Sequence, residues 1–475
     1  MKSLTLQAYI QHIDNGSLLP SAYLQQCKEM IESDSYNAWI SINHLSPTRS
    51  DSHLSQTPLR GAPIGIKDLI MTQWLVTTCG SKLLEHYVAP YDATCITLLQ
   101  SAGGVVLGKT NLDEFAMGGS GEYSAYGPTI NPYGNNRVAG GSSSGSAVAV
   151  ALGHCVAALG TDTGGSIRQP AAFCGIVGIK PTTGSISRYG VQPMANSLDQ
   201  VGVFAKTVAD AELLLWHLMA YDPLDGTSQD HAIQSSQTKK SDWSPYRIAV
   251  VEEFFGEGID EKIKQHTLDM LELWGKRDDI EIKMISMPLL SSAVAVYYVL
   301  MPAEASTNLA KFDGIGYGGS GVRDADTAIS AYTTAMRSQY LGEEVKRRIL
   351  LGTYVLSSGQ YDTYYTQAKA VQNEMIEQLN IIYKDYDAIV WPTSPILPWQ
   401  IGSKSDDPIS QYLADMYTIP ANLAGLPAMS IPIGEISDGD ESLPVGLHIM
   451  TAPWTEDTLC ALGKTVEQVV AREIK

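Results

Sequence analysis

Positive charge is scarce in this chain. Its 475 residues carry 32 Lys and Arg against 51 Asp and Glu, a net charge of −19. A surface of that sign repels a phosphate backbone, so any nucleic acid involved would rest mainly on another subunit. Cysteine is sparse as well. The six residues Cys27, Cys79, Cys95, Cys155, Cys174 and Cys460 are scattered without a CxxC pair, which fits free thiols in a reducing compartment rather than a disulfide framework. HExxH and other metal-ligand signatures are missing, and no metal is expected in this chain. Long apolar runs are missing too: none reaches the roughly eighteen residues of a membrane helix. The opening MKSLTLQAYIQHIDNGS has one lysine and no extended apolar stretch of the signal-peptide kind. A cytoplasmic location, away from the membrane, is the expectation.

The composition that remains, 44% apolar and 17% charged, is that of a globular enzyme. Its most informative stretch runs from Gly140 to Pro170, GGSSSGSAVAVALGHCVAALGTDTGGSIRQP. Glycine in such density marks sharp bends or close approach of backbone to another group. Serines set in those bends sit on stiff backbone beside unpaired N–H groups, the combination that a hydroxyl nucleophile and an oxyanion hole require.

Around that stretch the apolar periodicity alternates between strand and helix. Two amphipathic helices open the chain, one through Leu6, Tyr9, Ile10 and Ile13 and one over Tyr23 to Met30. Strands are predicted at residues 38–42, 63–68, 104–109, 247–251, 282–287, 387–391, 429–433 and 445–450. Helices are predicted at 91–101, 147–151, 209–219, 260–274 and 455–470, with another helical stretch through Glu343 to Arg348. Residues 225–245 lose all periodicity and are expected to be a surface loop or linker. Alternation of this kind favours an α/β fold.

Two serine sites compete for the chemistry. Gly141-Ser142-Ser143-Ser144-Gly145 matches the G-x-S-x-G elbow formally, but a loop composition, Asn131 to Arg137, precedes it where a strand is needed. His217, His231, His266 and His448 stand in no distinctive motif as partners. Ser166, in Thr163-Gly164-Gly165-Ser166, is better placed, because an apolar segment delivers the chain into a turn of successive N–H groups. A base is still needed, and Lys67 at the end of a buried strand is the candidate, since burial lowers a lysine's pKa and frees its lone pair.

Lys67 in GIKD, the GGSSSGS cluster and TDTGGSIRQPAAFCGIVGIKPTTG together resemble the amidase signature family, from about Gly61 to Thr207. That resemblance implies an α/β/α sandwich with a mixed central sheet, as one domain over residues 1–475. It also implies a Ser–cis-Ser–Lys triad of Ser166 as nucleophile, Ser142 as bridge and Lys67 as base, with an oxyanion hole at Thr163, Gly164, Gly165 and Ser166. The residues alone do not separate Ser142 from Ser143 or Ser144. Within the family, Thr110 to Gly118, Ser124 to Thr129, Glu304 to Ser306, Phe312 to Gly314, Glu344 to Tyr354 and Ile419 to Pro427 are similar to the glutaminase chains of glutamyl/aspartyl-tRNA amidotransferases. Ser144, Gly316 and Tyr123 depart from the usual glycine, arginine and asparagine.

This second resemblance implies glutamine hydrolysis supplying ammonia to convert Glu-tRNA(Gln) or Asp-tRNA(Asn), with B and C subunits as partners. Mischarged tRNA, ATP and Mg²⁺ would be held at the partner, and no cofactor in this chain. It further implies a glutamine pocket in which Arg348 clamps the α-carboxylate and Asp415 the α-ammonium, lined by Tyr297 or Tyr298. Two rival readings share the motifs: a free-standing amidase acting on another small amide, and a complex subunit whose triad is a relic.

Overall fold

The strands are β1 (Trp39–Ile42), β2 (Pro63–Lys67), β3 (Val105–Thr110), β4 (Ala157–Asp162), β5 (Val177–Lys180), β6 (Gln200–Ala205), β7 (Tyr246–Val251), β8 (Ile280–Ile285), β9 (Ala388–Pro392), β10 (Ala428–Asp438) and β11 (Glu441–Thr451). In this computed structural model, which describes residues 4–44, 49–237, 245–318, 328–403, 412 and 414–473, they form one 11-stranded sheet. Its order is β1-β3-β2-β4-β6-β5-β10-β11-β9-β7-β8. Parallel pairs flank β2 and β7, and an antiparallel block joins them across the middle. Strands β2, β4, β5, β6 and β9 are buried along their whole length, which explains their near-continuous apolar composition.

Helices Ser144–Leu152 and Arg168–Phe173 pack together on the sheet, while Val208–Leu218, Glu456–Glu473 and Glu261–Trp274 form a second packed group. The sheet lies between them, giving the α/β/α sandwich that the alternation and resemblance implied. Helix Ser144–Leu152 consists of small apolar residues and serines and is buried nearly throughout. That size lets it lie close over β2, β3 and β4.

The expected elements recur, most with bounds shifted by up to three residues, while β10 runs five residues beyond 433 and β11 begins four before 445; β8 starts two residues early, with Ile280 as its buried anchor. Residues 225–245 differ from expectation, since they contain a helix at His231–Gln237; residues 238–244 lie outside the described ones. That helix is held by tertiary contacts that leave no local period. His231 Nε2 lies 3.0 Å from buried Glu456, and the Trp216 and Trp454 rings face the imidazole edge-on.

The apolar-run expectation also needs correction. Pro288–Lys311 is a helical segment of 24 residues, long and apolar enough to cross a membrane by composition. Its apolar side chains, including Val296, Leu300 and Met301, are buried in the core, where the segment's helix Ala293–Asn308 packs on helices Glu343–Val355 and Gln367–Ile382. An all-round apolar helix satisfies either setting.

Next to the sheet's β2–β3 pair sits a fully buried ion pair, Lys109 with Asp68 at 3.3 Å. Lys109 also donates to the Ile70 carbonyl and to Thr77 Oγ1, and Asp68 accepts from Thr78. Removing one partner of such a pair strands the other in low dielectric. Lys109→Met is therefore expected to cost roughly 3–5 kcal/mol in urea unfolding, and adding Asp68→Asn should recover much of the loss.

Candidate active site

Parallel neighbours end at the same edge of a sheet, so β2 and β4 deliver Lys67 and Asp162 side by side. From β4 the chain enters the turn 163–167 and then helix Arg168–Phe173. The loop before helix Ser144–Leu152 meets that turn: the Ser143 N–H donates to the Ser166 carbonyl at 3.2 Å, and Ser143 Oγ donates to the Thr161 carbonyl at 3.1 Å.

Lys67 is 0% exposed. Its Nζ donates to Ser142 Oγ at 2.8 Å, to Thr161 Oγ1 at 2.9 Å and to the Thr161 carbonyl at 3.4 Å. The three serines that composition left equivalent are thereby separated. Ser143 is spent on Thr161, Ser144 on Thr129 Oγ1 at 3.0 Å, and Ser142 meets the lysine. The Gly141–Ser142 peptide is cis. Burial pushes Lys67 down to about 7, and Asp113, Asp162 and Asp199 oppose that shift. Burial also pushes two of those carboxyls up, Asp113 to about 7 and Asp199 to about 6, so Asp113 is only partly ionised near neutrality.

Ser166 is 8% exposed among fully buried neighbours. One carboxylate shapes its turn. Asp162 accepts the N–H of Gly165 at 2.8 Å and of Ile167 at 3.1 Å, the residues on either side of the serine. Arg168 forks onto both Asp162 oxygens at 2.9 and 3.0 Å, and Asn422 adds a bond at 2.9 Å. Burial pushes the Asp162 carboxyl up, but Arg168 outweighs it, helped by Lys180 and Asn422, and holds the group below the usual carboxylate range.

This pinning corrects the expected oxyanion hole. The Gly165 N–H is committed to Asp162, leaving those of Thr163, Gly164 and Ser166, which have no acceptor among the described residues. Gly165 still has to be glycine: its φ is +136°, and a Cβ would lie 2.0 Å from Thr418 Oγ1.

The expected pocket residues also converge. Tyr297 lies against the turn, where a Cβ on Gly164 would stand 2.7 Å from its ring. Tyr298 donates to Asp415 Oδ2 at 3.4 Å and stacks on Tyr412 at 4.1 Å, so both tyrosines line the region. The Arg348 guanidinium sits 5.6 Å from the ring centres of Tyr298 and Tyr412. Arg348 is already partnered, because its Nε donates to buried Glu344 at 2.7 Å, and Tyr412 donates to the same oxygen at 2.9 Å. Burial pushes Asp415 up to about 7, with Arg348 pulling it down.

Glu344, Tyr412, Gln169 and Thr161 were not expected here. Only Glu344 carried a local signal, its spacing of four from Arg348 on a helix. His448 lies buried with its Nε2 2.8 Å from Arg168 Nη1. The departures are neutral in geometry: Tyr123 contributes its N–H to Asp113, and Gly316 its N–H to Asp313.

Comparison with known proteins follows the same lines. The amidase family model matches residues 22–460. The chain is 47% identical to the A chain of the glutamyl-tRNA(Gln) amidotransferase of Nostoc punctiforme, covering 88% of this chain and 85% of that one. It is 43% identical to the protein of the same description from Acidobacterium capsulatum, covering 99% and 100%. Among solved structures, the corresponding glutamyl-tRNA(Gln) amidotransferase chain of Thermotoga maritima superposes with a TM-score of 0.79 at 37% identity, over 98% of this chain and 94% of that one.

The Asp162–Arg168 fork generates its own expectation. Arg168→Leu leaves a buried carboxylate without its cation and should lower unfolding stability by roughly 3–5 kcal/mol. Arg168→Lys should recover only part of this in the same urea titration, since an ammonium cannot span both oxygens.

Proposed function

Because this chain belongs to the amidase family, we propose that it is the glutamine-hydrolysing subunit of a tRNA-dependent amidotransferase, acting through a Ser166–Ser142–Lys67 triad. The observation that carries the reading is a fully buried lysine whose Nζ lies 2.8 Å from a serine hydroxyl and whose pKa is brought to about 7. A lysine of that kind is a base at neutral pH. Neutral Lys67 takes the Ser142 proton as Ser142 takes that of Ser166. The Ser166 oxygen attacks the glutamine side-chain carbonyl, and the N–H groups of Thr163, Gly164 and Ser166 receive the oxyanion. The relay returns a proton to the leaving nitrogen, ammonia departs, and water cleaves the γ-glutamyl ester by the same steps in reverse order.

The relatives' descriptions support the amidotransferase assignment, and near-complete mutual coverage supports carrying it over a whole subunit. In this reading the chain works in a cytoplasmic heterotrimer with B and C subunits. The partner binds mischarged tRNA, ATP and Mg²⁺ and receives the ammonia. The net charge of −19 suits a subunit that leaves tRNA to its partner. Arg348 and Asp415 are the groups for glutamine's carboxylate and ammonium, the first through the guanidinium edge that Glu344 leaves open.

Two outcomes test the reading. Ser166→Ala should lower glutamine turnover by at least about 10⁴-fold, while ammonium-dependent amidation of tRNA by the assembled complex persists. Loss of both activities with the complex intact would separate Ser166 from ammonia supply. The second outcome is a pH profile. A base whose pKa is lowered to about 7 is protonated and idle below that value, so kcat/KM should rise with pH through about 7 and then level. Lys67→Arg, which cannot release a proton, should lack both the rate and the rising limb.

A further inference from the structure

Gln169 belongs to neither the triad nor the proposed glutamine contacts, yet it touches both. It is the second residue of helix Arg168–Phe173 and is fully buried. Its Oε1 accepts the Gly141 N–H at 3.0 Å, one residue before Ser142. Its Nε2 donates to Asp415 Oδ1 at 3.2 Å. A backbone N–H can only donate and a carboxylate can only accept, so the amide has one orientation that satisfies both neighbours. Carboxylate-bearing Glu lacks the donor, Asn lacks the length, and apolar side chains lack both functions. The surroundings leave little slack: a Cβ on Gly140 would lie 3.0 Å from Gln169 Oε1, and one on Gly119 would lie 2.8 Å from Asp415 Oδ1.

On Asp415, Gln169 holds Oδ1 and Tyr298 holds Oδ2, each from one side. The carboxylate plane is therefore set before any ligand arrives, with one partner on each oxygen. At the other end, the same side chain sets the peptide that leads into Ser142, the hydroxyl that Lys67 contacts. We propose that Gln169 is a positioning residue that ties the ammonium-binding carboxylate Asp415 to the Gly140–Gly141 peptide, the one immediately before the peptide carrying Ser142. Seating the substrate's α-ammonium and aligning the proton relay are then one mechanical arrangement, and a ligand that lacks the ammonium leaves the relay less well held. The inference rests on the glutaminase reading and deepens it, since it names how that site couples recognition to chemistry.

The test compares Gln169→Leu and Gln169→Glu in the full-length chain with its partner subunits, using glutamine and butanamide, the neutral amide left when glutamine's α-carboxylate and α-amino group are replaced by hydrogen. Leucine removes both bonds. It should raise KM for glutamine about tenfold or more, the scale of a lost hydrogen bond to a charged group, and lower kcat on both substrates. Glutamate keeps an acceptor for Gly141 but turns a negative charge towards Asp415. It should raise KM for glutamine at least as far while lowering kcat less than leucine does; being isosteric, it carries the test should the leucine variant not fold.

A leucine variant with unchanged KM for glutamine overturns the link to Asp415, and one with unchanged kcat overturns the link to Ser142. Equal losses of kcat in both variants with KM untouched would assign Gln169 to packing alone. Wild-type enzyme that uses butanamide as readily as glutamine would instead remove the glutaminase reading. The inference fails separately, when the wild type prefers glutamine and both variants keep that preference undiminished.

Discussion

A lysine ammonium taken wholly out of water, with hydroxyls rather than a carboxylate for neighbours, is the constraint around which this molecule is arranged. Lys67 and Lys109 lie on the paired strands β2 and β3, both fully buried. Lys109 meets Asp68 directly and is held as part of an ion pair. Lys67 meets Ser142 and Thr161 and has no carboxylate in contact among the described residues. Desolvation therefore acts on it with little compensation and brings it to about 7. One lysine belongs to an ion pair and the other suits the proposed role of base, and the difference is the partner, since the burial is the same.

Keeping carboxylates away from Lys67 has a structural consequence. Asp162 emerges from β4 beside it, and an ionised neighbour in contact would hold the lysine charged. The fold turns that carboxylate outward onto Arg168, Asn422 and two backbone N–H groups, so its charge is used to shape the turn on which Ser166 stands. The same choice withdraws the Gly165 N–H from the proposed oxyanion hole. The serine turn is thus held by a buried polar network that leaves the N–H groups of Thr163, Gly164 and Ser166 available for the proposed reaction.

Much of the fold was legible locally. Strands β2, β3, β7, β9, β10 and β11 announce themselves as short apolar runs between glycines and prolines, and the opening and closing helices by their period. Helix Ala293–Asn308 carried no such period, because it is buried on nearly every side and has no polar stripe to mark a face. The helix at His231–Gln237 was equally silent, since its anchors lie outside it, Glu456 and Trp454 more than 200 residues away in sequence.

At the site, the sequence by itself determined the residue types and the spacing: a lysine closing a buried strand and two glycine–serine bends. Those are local facts, because nucleophiles and oxyanion donors need stiff turns and stiff turns need glycine. Only the tertiary structure decided which of Ser142, Ser143 and Ser144 faces Lys67, because that depends on how a loop and a strand 75 residues apart meet. It also decided that Gly165 spends its N–H on Asp162, that Arg348 arrives already paired with Glu344, and that Gln169 spans Gly141 and Asp415, 246 residues away. Hydrogen-bond partners across such separations follow from the stacking of strands and helices, which no window of neighbouring residues contains.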